Sequence, residues 1–221
     1  MTNLFRKAAI FTDIHFGLKS NSQLHNDDCL AFVKWATAEA REQGCETCLF
    51  LGDWHNNRAN LNIVTLNYSL RALEHLNANF DRVYFIPGNH DLYYRDKRDI
   101  QSVEWARHLP NVEICNDWFH SGNVVIAPWL CGDDHRRLQK LQGKYLFGHF
   151  ELPGYLMNAM VEMPDHGEIQ RAWALHRLQR LRPGATRRGA RSARPPRCSG
   201  AGGLVRPRPH RSPQLETTDM T

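Results

Sequence analysis

Through its first 150 residues the chain alternates short apolar runs with longer amphipathic stretches. Lys7-Ala8-Ala9-Ile10-Phe11, Thr47-Cys48-Leu49-Phe50-Leu51 and Val83-Tyr84-Phe85 are almost uninterrupted in their apolar character, as expected of strands covered on both faces. Between the first two, Cys29, Phe32, Val33, Ala36 and Ala40 recur at helical spacing, which predicts an amphipathic helix over Asp27–Gln43 closed by Gly44. Ile63, Leu66, Leu70 and Leu73 mark a second helix, with Asn60 or Asn62 as its N-cap. Further on, the pattern predicts a helix near Asp99–His108 and a strand over Val112–Cys115. A hairpin follows, in which Trp118–His120 and Val124–Ala127 flank Ser121-Gly122-Asn123, and then a strand at Tyr145-Leu146-Phe147. Strands alternating with helices predict an α/β sandwich with helices outside.

The polar residues directly after these strands carry the candidate chemistry. The first strand ends in Thr12-Asp13-Ile14-His15, the second in Gly52-Asp53-Trp54-His55, the third in Gly88-Asn89-His90-Asp91, and the strand at 145–147 in Gly148-His149. Parallel strands of an α/β sheet deliver their functional side chains beyond the carboxyl ends, so residues distant in sequence converge on one edge. A set of carboxylate, imidazole and amide oxygen suits Mn²⁺, Fe²⁺, Zn²⁺ or Mg²⁺ better than soft ions. Two such ions about 3.5–4 Å apart can clamp a phosphate for in-line attack, and Asp53 is the natural bridging carboxylate. An isolated Asp-x-His or Gly-His is commonplace; four such groups at successive strand ends are not.

Together, Asp13-Ile14-His15, Gly52-Asp53, Gly88-Asn89-His90-Asp91 and Gly148-His149 resemble, in order, the first four signature blocks of the calcineurin-like metallophosphoesterases. That resemblance implies a sandwich of mixed β-sheets flanked by helices. It further implies that Asp13 and His15 bind one metal, that Asp53 bridges, that Asn89 and His149 bind the second, and that His90 contacts the phosphate and assists the leaving group. Protein Ser/Thr phosphatases of the family carry Asp-Arg-Gly after the second block and Glu at the end of the third. Trp54-His55-Asn56-Asn57-Arg58 and Asp91 stand here instead, which is closer to the SbcCD-type DNA nucleases and their phage counterparts, the recombination endonuclease subunits. By resemblance the substrate is DNA and the favoured metal Mn²⁺. The implied partners are an SbcC-type coiled-coil ATPase and a second copy of the chain. A phosphatase or small-molecule phosphodiesterase of the same superfamily is the alternative. His55 is open between a contact to metal or phosphate and a solvated loop residue.

Composition changes this picture at one end. Residues 171–221 hold twelve of the 28 basic residues, all Arg, and two of the 23 acids, so the first 170 residues are net −5 and the remainder +10. The expected organisation is a phosphoesterase domain over 1–170 and an Arg-, Pro- and Gly-rich tail over 171–221 that lacks the apolar periodicity of a core and should be disordered, without regular structure. The family's fifth block, Gly-His-x-His, is absent: only His166, His176 and His210 follow His149. The phosphoesterase domain is therefore expected to be incomplete at its C-terminal part and impaired as an enzyme. The tail reads either as a non-native read-through, the favoured account, or as a basic arm binding nucleic acid by counterion release. On the latter account alone, the chain would be a non-catalytic binding protein. The six cysteines have no framework spacing and read as packing thiols in a reducing cytosol, of a host if the gene is a phage's. No apolar run approaches a membrane span.

Overall fold

The structure, a computed structural model, describes residues 4–141, 145–151 and 216–219. Strands β1 (Lys7–Phe11), β2 (Thr47–Phe50), β3 (Arg82–Phe85) and β4 (Val112–Ile114) pair in parallel in the order β4-β3-β2-β1. A second sheet joins β5 (Phe119–Ser121) and β6 (Val124–Ile126) as a hairpin, with β7 (Tyr145–Phe147) parallel to β6. Gly122, in the left-handed region at φ 55°, makes the hairpin turn. The mixed α/β fold matches the sequence expectation.

Each central strand feeds two cores because successive side chains point to opposite faces. Ala9, Phe11, Cys48, Phe50, Val83 and Phe85 face the helices, and Ala8, Ile10, Leu49, Tyr84 and Ile86 face the second sheet. A short turn, α1 (Leu18–Asn21), leads into the helix layer of α2 (Gln23–Glu42), capped by the Ser22 hydroxyl, and α3 (Ile63–Asn79), capped by the Asn62 side chain. Gly44, at φ 76°, follows α2 as the sequence predicts. Cys29, Cys45, Cys48 and Cys115 are buried, and burial pushes Cys29 and Cys115 up to about 12, so these side chains stay thiols.

Four expectations need correction. Of the four apolar residues that mark α3, Leu73 alone is fully buried: Ile63 is 83% exposed, Leu66 and Leu70 are half-buried, and the inner face is Thr65, Ser69, Ala72, Leu73 and Leu76. Only a 3₁₀ turn, Glu104–His108, forms in the region read as a helix from Asp99, because Leu92 pairs with Gln101 and engages that stretch in a loop. A short helix, α4 (Asp134–Lys140), has no apolar periodicity to announce it; the Asp134 carboxylate holds it, accepting from Trp118 Nε1 (2.8 Å) and pairing with Arg98. Finally, the tail was expected to contain no regular structure, yet residues 216–219 form β8 (Glu216–Asp219), antiparallel to β1. The remainder of the tail, and His166, His176 and His210, lie outside the described residues.

A candidate metal centre

Beyond their last ladder residues, β1 and β2 stay in register. Leu51 N donates to Phe11 O, Asp13 N to Gly52 O, His15 N to Asp53 O and Phe16 N to Trp54 O, at 2.8–3.0 Å. The two loops therefore run side by side, with Asp13, His15 and Asp53 in left-handed backbone at φ 60°, 52° and 59°. Few non-glycine residues adopt that conformation, and three at one edge mark a functional constraint.

Two glycines let the loops close. A Cβ on Gly52 would lie 2.7 Å from His149 Nδ1 and 2.9 Å from Gly88 Cα, and one on Gly88 would lie 2.2 Å from Asp53 Oδ1 and 2.4 Å from Asp53 N. Neither position has room for any other residue, which gives the glycines of the second and third motifs a steric cause.

The donors that result are close together. One ligand atom from each of Asp13, His15 and Asp53 falls within 4.8 Å of the other two. Asp53 is the pivot: Oδ1 accepts from His90 N (3.0 Å), and Oδ2 lies 3.6 Å from His15 Nε2 and 3.5 Å from His149 Nε2. His149 Nδ1 donates to Leu51 O (2.7 Å), which directs Nε2 at Asp53. That backbone bond to the far nitrogen is the usual support of a metal-ligating histidine. His149 arrives from the second sheet, not from the edge of the first, so the site lies where the two sheets meet. Two carboxylates and two imidazoles at such distances fit a divalent ion.

Electrostatics bind the cluster further. Burial alone would raise Asp13, but its bond to His15 and the nearby His149 hold it below the ordinary carboxylate value. Burial would lower His15, and the Asp13 bond with the charges of Asp53 and Asp13 raises it above the ordinary imidazole value.

His90 stands edge-on to His15, ring centroids 5.1 Å apart, with Nδ1 donating to Asn56 O at 2.7 Å. Asn89 is half-buried in the turn between Gly88 and His90. Asp91 is fully buried and faces backbone. Its oxygens accept from Trp54 N (3.1 Å), Gly88 N (2.9 Å) and His55 N (2.8 Å), tying the second motif to the third. Burial still pushes it up to about 6 against those three donors.

Neither reading of His55 survives. Its side chain is wholly buried, with Nδ1 2.7 Å from Ser102 Oγ and Nε2 2.7 Å from Ser69 Oγ. The Trp54 indole N–H donates to the same Ser69 hydroxyl (2.8 Å), which joins His55 and Trp54 through one serine. With both nitrogens engaged His55 reaches neither metal nor phosphate, and burial lowers it to about 3.

Other supports carry no sequence signal of their own. His25 Nε2 donates to His15 O (3.1 Å) and Cys29 Sγ to Ile14 O (3.2 Å). The buried Asn26 accepts from Gly17 N (2.9 Å) and donates to Thr65 Oγ1 (3.1 Å).

A calcineurin-like phosphoesterase family model matches residues 6–179. The chain belongs to the calcineurin-like phosphoesterase family. It is 23% identical over 152 residues to Exonuclease subunit 1 of Enterobacteria phage T4, an alignment covering 65% of this chain and 45% of the relative, so the chain spans under half of that protein. Among solved structures it is similar to the Pseudomonas putida nuclease MPE, with a TM-score of 0.37 and 20% identity, over 54% of this chain and 52% of that one. Within this family match, the cluster of Asp13, His15 and Asp53 could hold a divalent metal. Among the described residues no helix is long and apolar enough to cross a membrane.

Proposed function

We propose that this chain carries the catalytic centre of a two-metal nuclease that cleaves DNA phosphodiesters, with Mn²⁺ as its ion. The observation that carries the reading is the position of Asp53 Oδ2, within 3.6 Å of imidazole nitrogens on either side. Asp13 and His15 hold the first ion, His149 and Asn89 the second, and Asp53 both. When bound, the pair supplies Lewis-acid neutralisation of phosphoryl charge. The protein's own groups orient and protonate: His90, its Nδ1–H anchored on Asn56 O, would act as the imidazolium, passing its Nε2 proton to the leaving oxygen and ending as the neutral ring.

DNA as substrate is favoured by a nuclease relative and by the exposed Tyr93 and Tyr94, whose loop begins directly after Asp91. Their rings meet edge-on at 4.8 Å, and Lys97 lies over Tyr94. Aromatic faces with adjacent cations suit unstacked bases and their phosphates. The relative's name makes it a subunit, which favours a partner protein here; we assign that role to a coiled-coil ATPase, with a second copy of the chain beside it in a host cytoplasm. Each metal lacks the imidazole of a Gly-His-x-His block, so the chain is an impaired enzyme, because even an outer-shell loss costs about 10–100-fold in metal affinity or activity.

Linear DNA, a phosphopeptide and a cyclic nucleotide, each assayed with Mn²⁺ on this chain and on one carrying a grafted Gly-His-x-His segment, test the reading. DNA cleavage that rises with the graft supports it. Turnover of phosphopeptide or cyclic nucleotide alone points to a phosphatase or phosphodiesterase. DNA binding without turnover, abolished by deleting 171–221, points to a basic arm.

A further inference from the structure

His149 is the one proposed ligand supplied by the smaller sheet, and what fixes its ring is a closed circuit of side chains. The Trp129 ring lies against it at 5.7 Å, inclined by 47°. The Trp129 indole N–H donates to Arg95 O (2.9 Å), while Arg98 Nη1 donates to Trp129 O (2.7 Å), so the 95–98 segment holds this tryptophan at both ends. The Arg95 guanidinium then returns to Glu151, two residues past His149, through Nη2 to Oε1 (2.9 Å) and Oε2 (2.6 Å). At its base the same loop is tied to the third motif: Ser102 N donates to Asp91 O (2.8 Å), and Tyr93 N to Ile100 O (2.9 Å).

We infer that Trp129, Arg95 and Glu151 are positioning residues for His149, clamping its imidazole in the orientation that presents Nε2 to Asp53 and the second ion. This rests on the two-metal reading above. The Leu51 carbonyl fixes one edge of the imidazole, but a single bond leaves the ring free to rock about it. Trp129, 6% exposed, supplies the wall that prevents rocking, and the Arg95–Glu151 pair keeps the backbone after His149 from withdrawing it. The first ion needs no such clamp, because Asp13, His15 and Asp53 stand on loops laddered to each other. The clamp also joins the centre to the loop bearing Tyr93 and Tyr94, so substrate engaged there adjoins the segment holding the second ion.

The test is Mn²⁺ titration of the full chain by calorimetry and electron paramagnetic resonance, with proton NMR of the metal-free protein beside it. The pair is partly exposed, with side chains 59% and 29% accessible, so R95E should weaken the second ion only about fivefold and leave the first unchanged. E151R should do the same, and R95E/E151R should restore the affinity. Trp129→Leu should cost the second ion about 10-fold or more, and Trp129→Phe less. In the metal-free spectrum the His149 Nδ1–H, sheltered by its bond to Leu51, should give a slowly exchanging downfield resonance that broadens in W129L and R95E and sharpens again in the swap. Single variants that match the parent in both readouts, or a swap no better than its singles, would overturn the inference. A parent that takes up only one ion while its His149 resonance responds as described would overturn the two-metal reading and leave the clamp standing. R95E and the swap alter partly exposed groups and leave the core intact, so the outcome does not depend on whether W129L folds.

Discussion

Acid should weaken the fold through His55, a residue that takes no part in the proposed chemistry. The ring is neutral in the fold, both nitrogens held by serine hydroxyls at 2.7 Å, and its pKa falls from 6.5 to about 3 by burial. A group whose folded pKa is depressed stabilises fully above the unfolded value and loses that contribution as pH falls towards the folded one. The window here runs from 6.5 down to about 3. At 1.36 kcal/mol per pKa unit, acidification from pH 7.5 to pH 5 should remove about 2 kcal/mol of the contribution made by His55. His15 and Asp91 are both raised and oppose this: the contribution of His15 is present below 6.5 and lost as pH rises through its folded value, and that of Asp91 is lost as pH rises through about 6, so comparison with a His55 variant is what isolates the effect. Urea denaturation of metal-free protein at the two pH values, for the parent and for His55→Gln, reads the difference: the parent should lose more stability than the variant by about 2 kcal/mol. The His55 ring resonances should not move between pH 8 and pH 5. A His55 that titrates near 6.5, or a variant as acid-sensitive as the parent, would refute the assignment of a buried neutral ring.

Gly88→Ala should leave circular dichroism near that of the parent but abolish uptake of Mn²⁺, because a Cβ 2.4 Å from Asp53 N cannot be relieved by rotating a side chain; calorimetry checks it. Asp91→Ala strands three buried backbone N–H groups at about 1–3 kcal/mol each and should lower the urea midpoint severely, whereas Asp91→Asn, which keeps one acceptor oxygen, should recover part of the loss. Replacing Tyr93 and Tyr94 together by Ala should weaken binding to a single-stranded DNA end by roughly 1–3 kcal/mol per base stacked, without changing Mn²⁺ affinity; fluorescence anisotropy measures the first and calorimetry the second.

The strands and the cluster of polar side chains at their ends were legible because both have strong local signatures: continuous apolar runs, and carboxylate and imidazole residues immediately beyond them. The inner face of α3 was not, for a reason that concerns the site. That helix turns Thr65 and Ser69 inward, where Thr65 donates to Asn21 Oδ1 (3.0 Å) and accepts from Asn26, and Ser69 accepts from Trp54. Polar residues that are fully paired inside a network bury without penalty, so hydrophobic periodicity fails where a helix backs a functional loop. His55 failed for the same reason, since a buried histidine between two serines and a solvated one look alike until the partners are known. Trp129 and Asn26 act through contacts more than thirty residues away, with Arg95 and Thr65, that no local pattern encodes.

The strain in the centre and the rigidity around it are connected. Asp13, His15 and Asp53 each hold a left-handed backbone, a conformation that costs roughly 1–2 kcal/mol per non-glycine residue. Asp and His enter that region more readily than most residues but still at a cost, so their surroundings must hold them there. Asp13 N and His15 N are bonded to the carbonyls of Gly52 and Asp53; His25 holds the carbonyl of His15; and Asp91 gathers the amides of Trp54, His55 and Gly88. Below them Trp54 is wedged against Phe16 and Phe50 with centroids at 5.0 Å, and against Phe85 at 5.6 Å, so the second loop cannot relax downward. The extended alternative would point successive side chains to opposite faces and carry Asp13 and His15 along one face, away from Asp53. Left-handed backbone is what turns three side chains from two strands towards one point, and the buried polar network offsets its cost. Residues such as Asp91 and His55, which touch no ligand of their own, thereby help to hold the geometry of those that do.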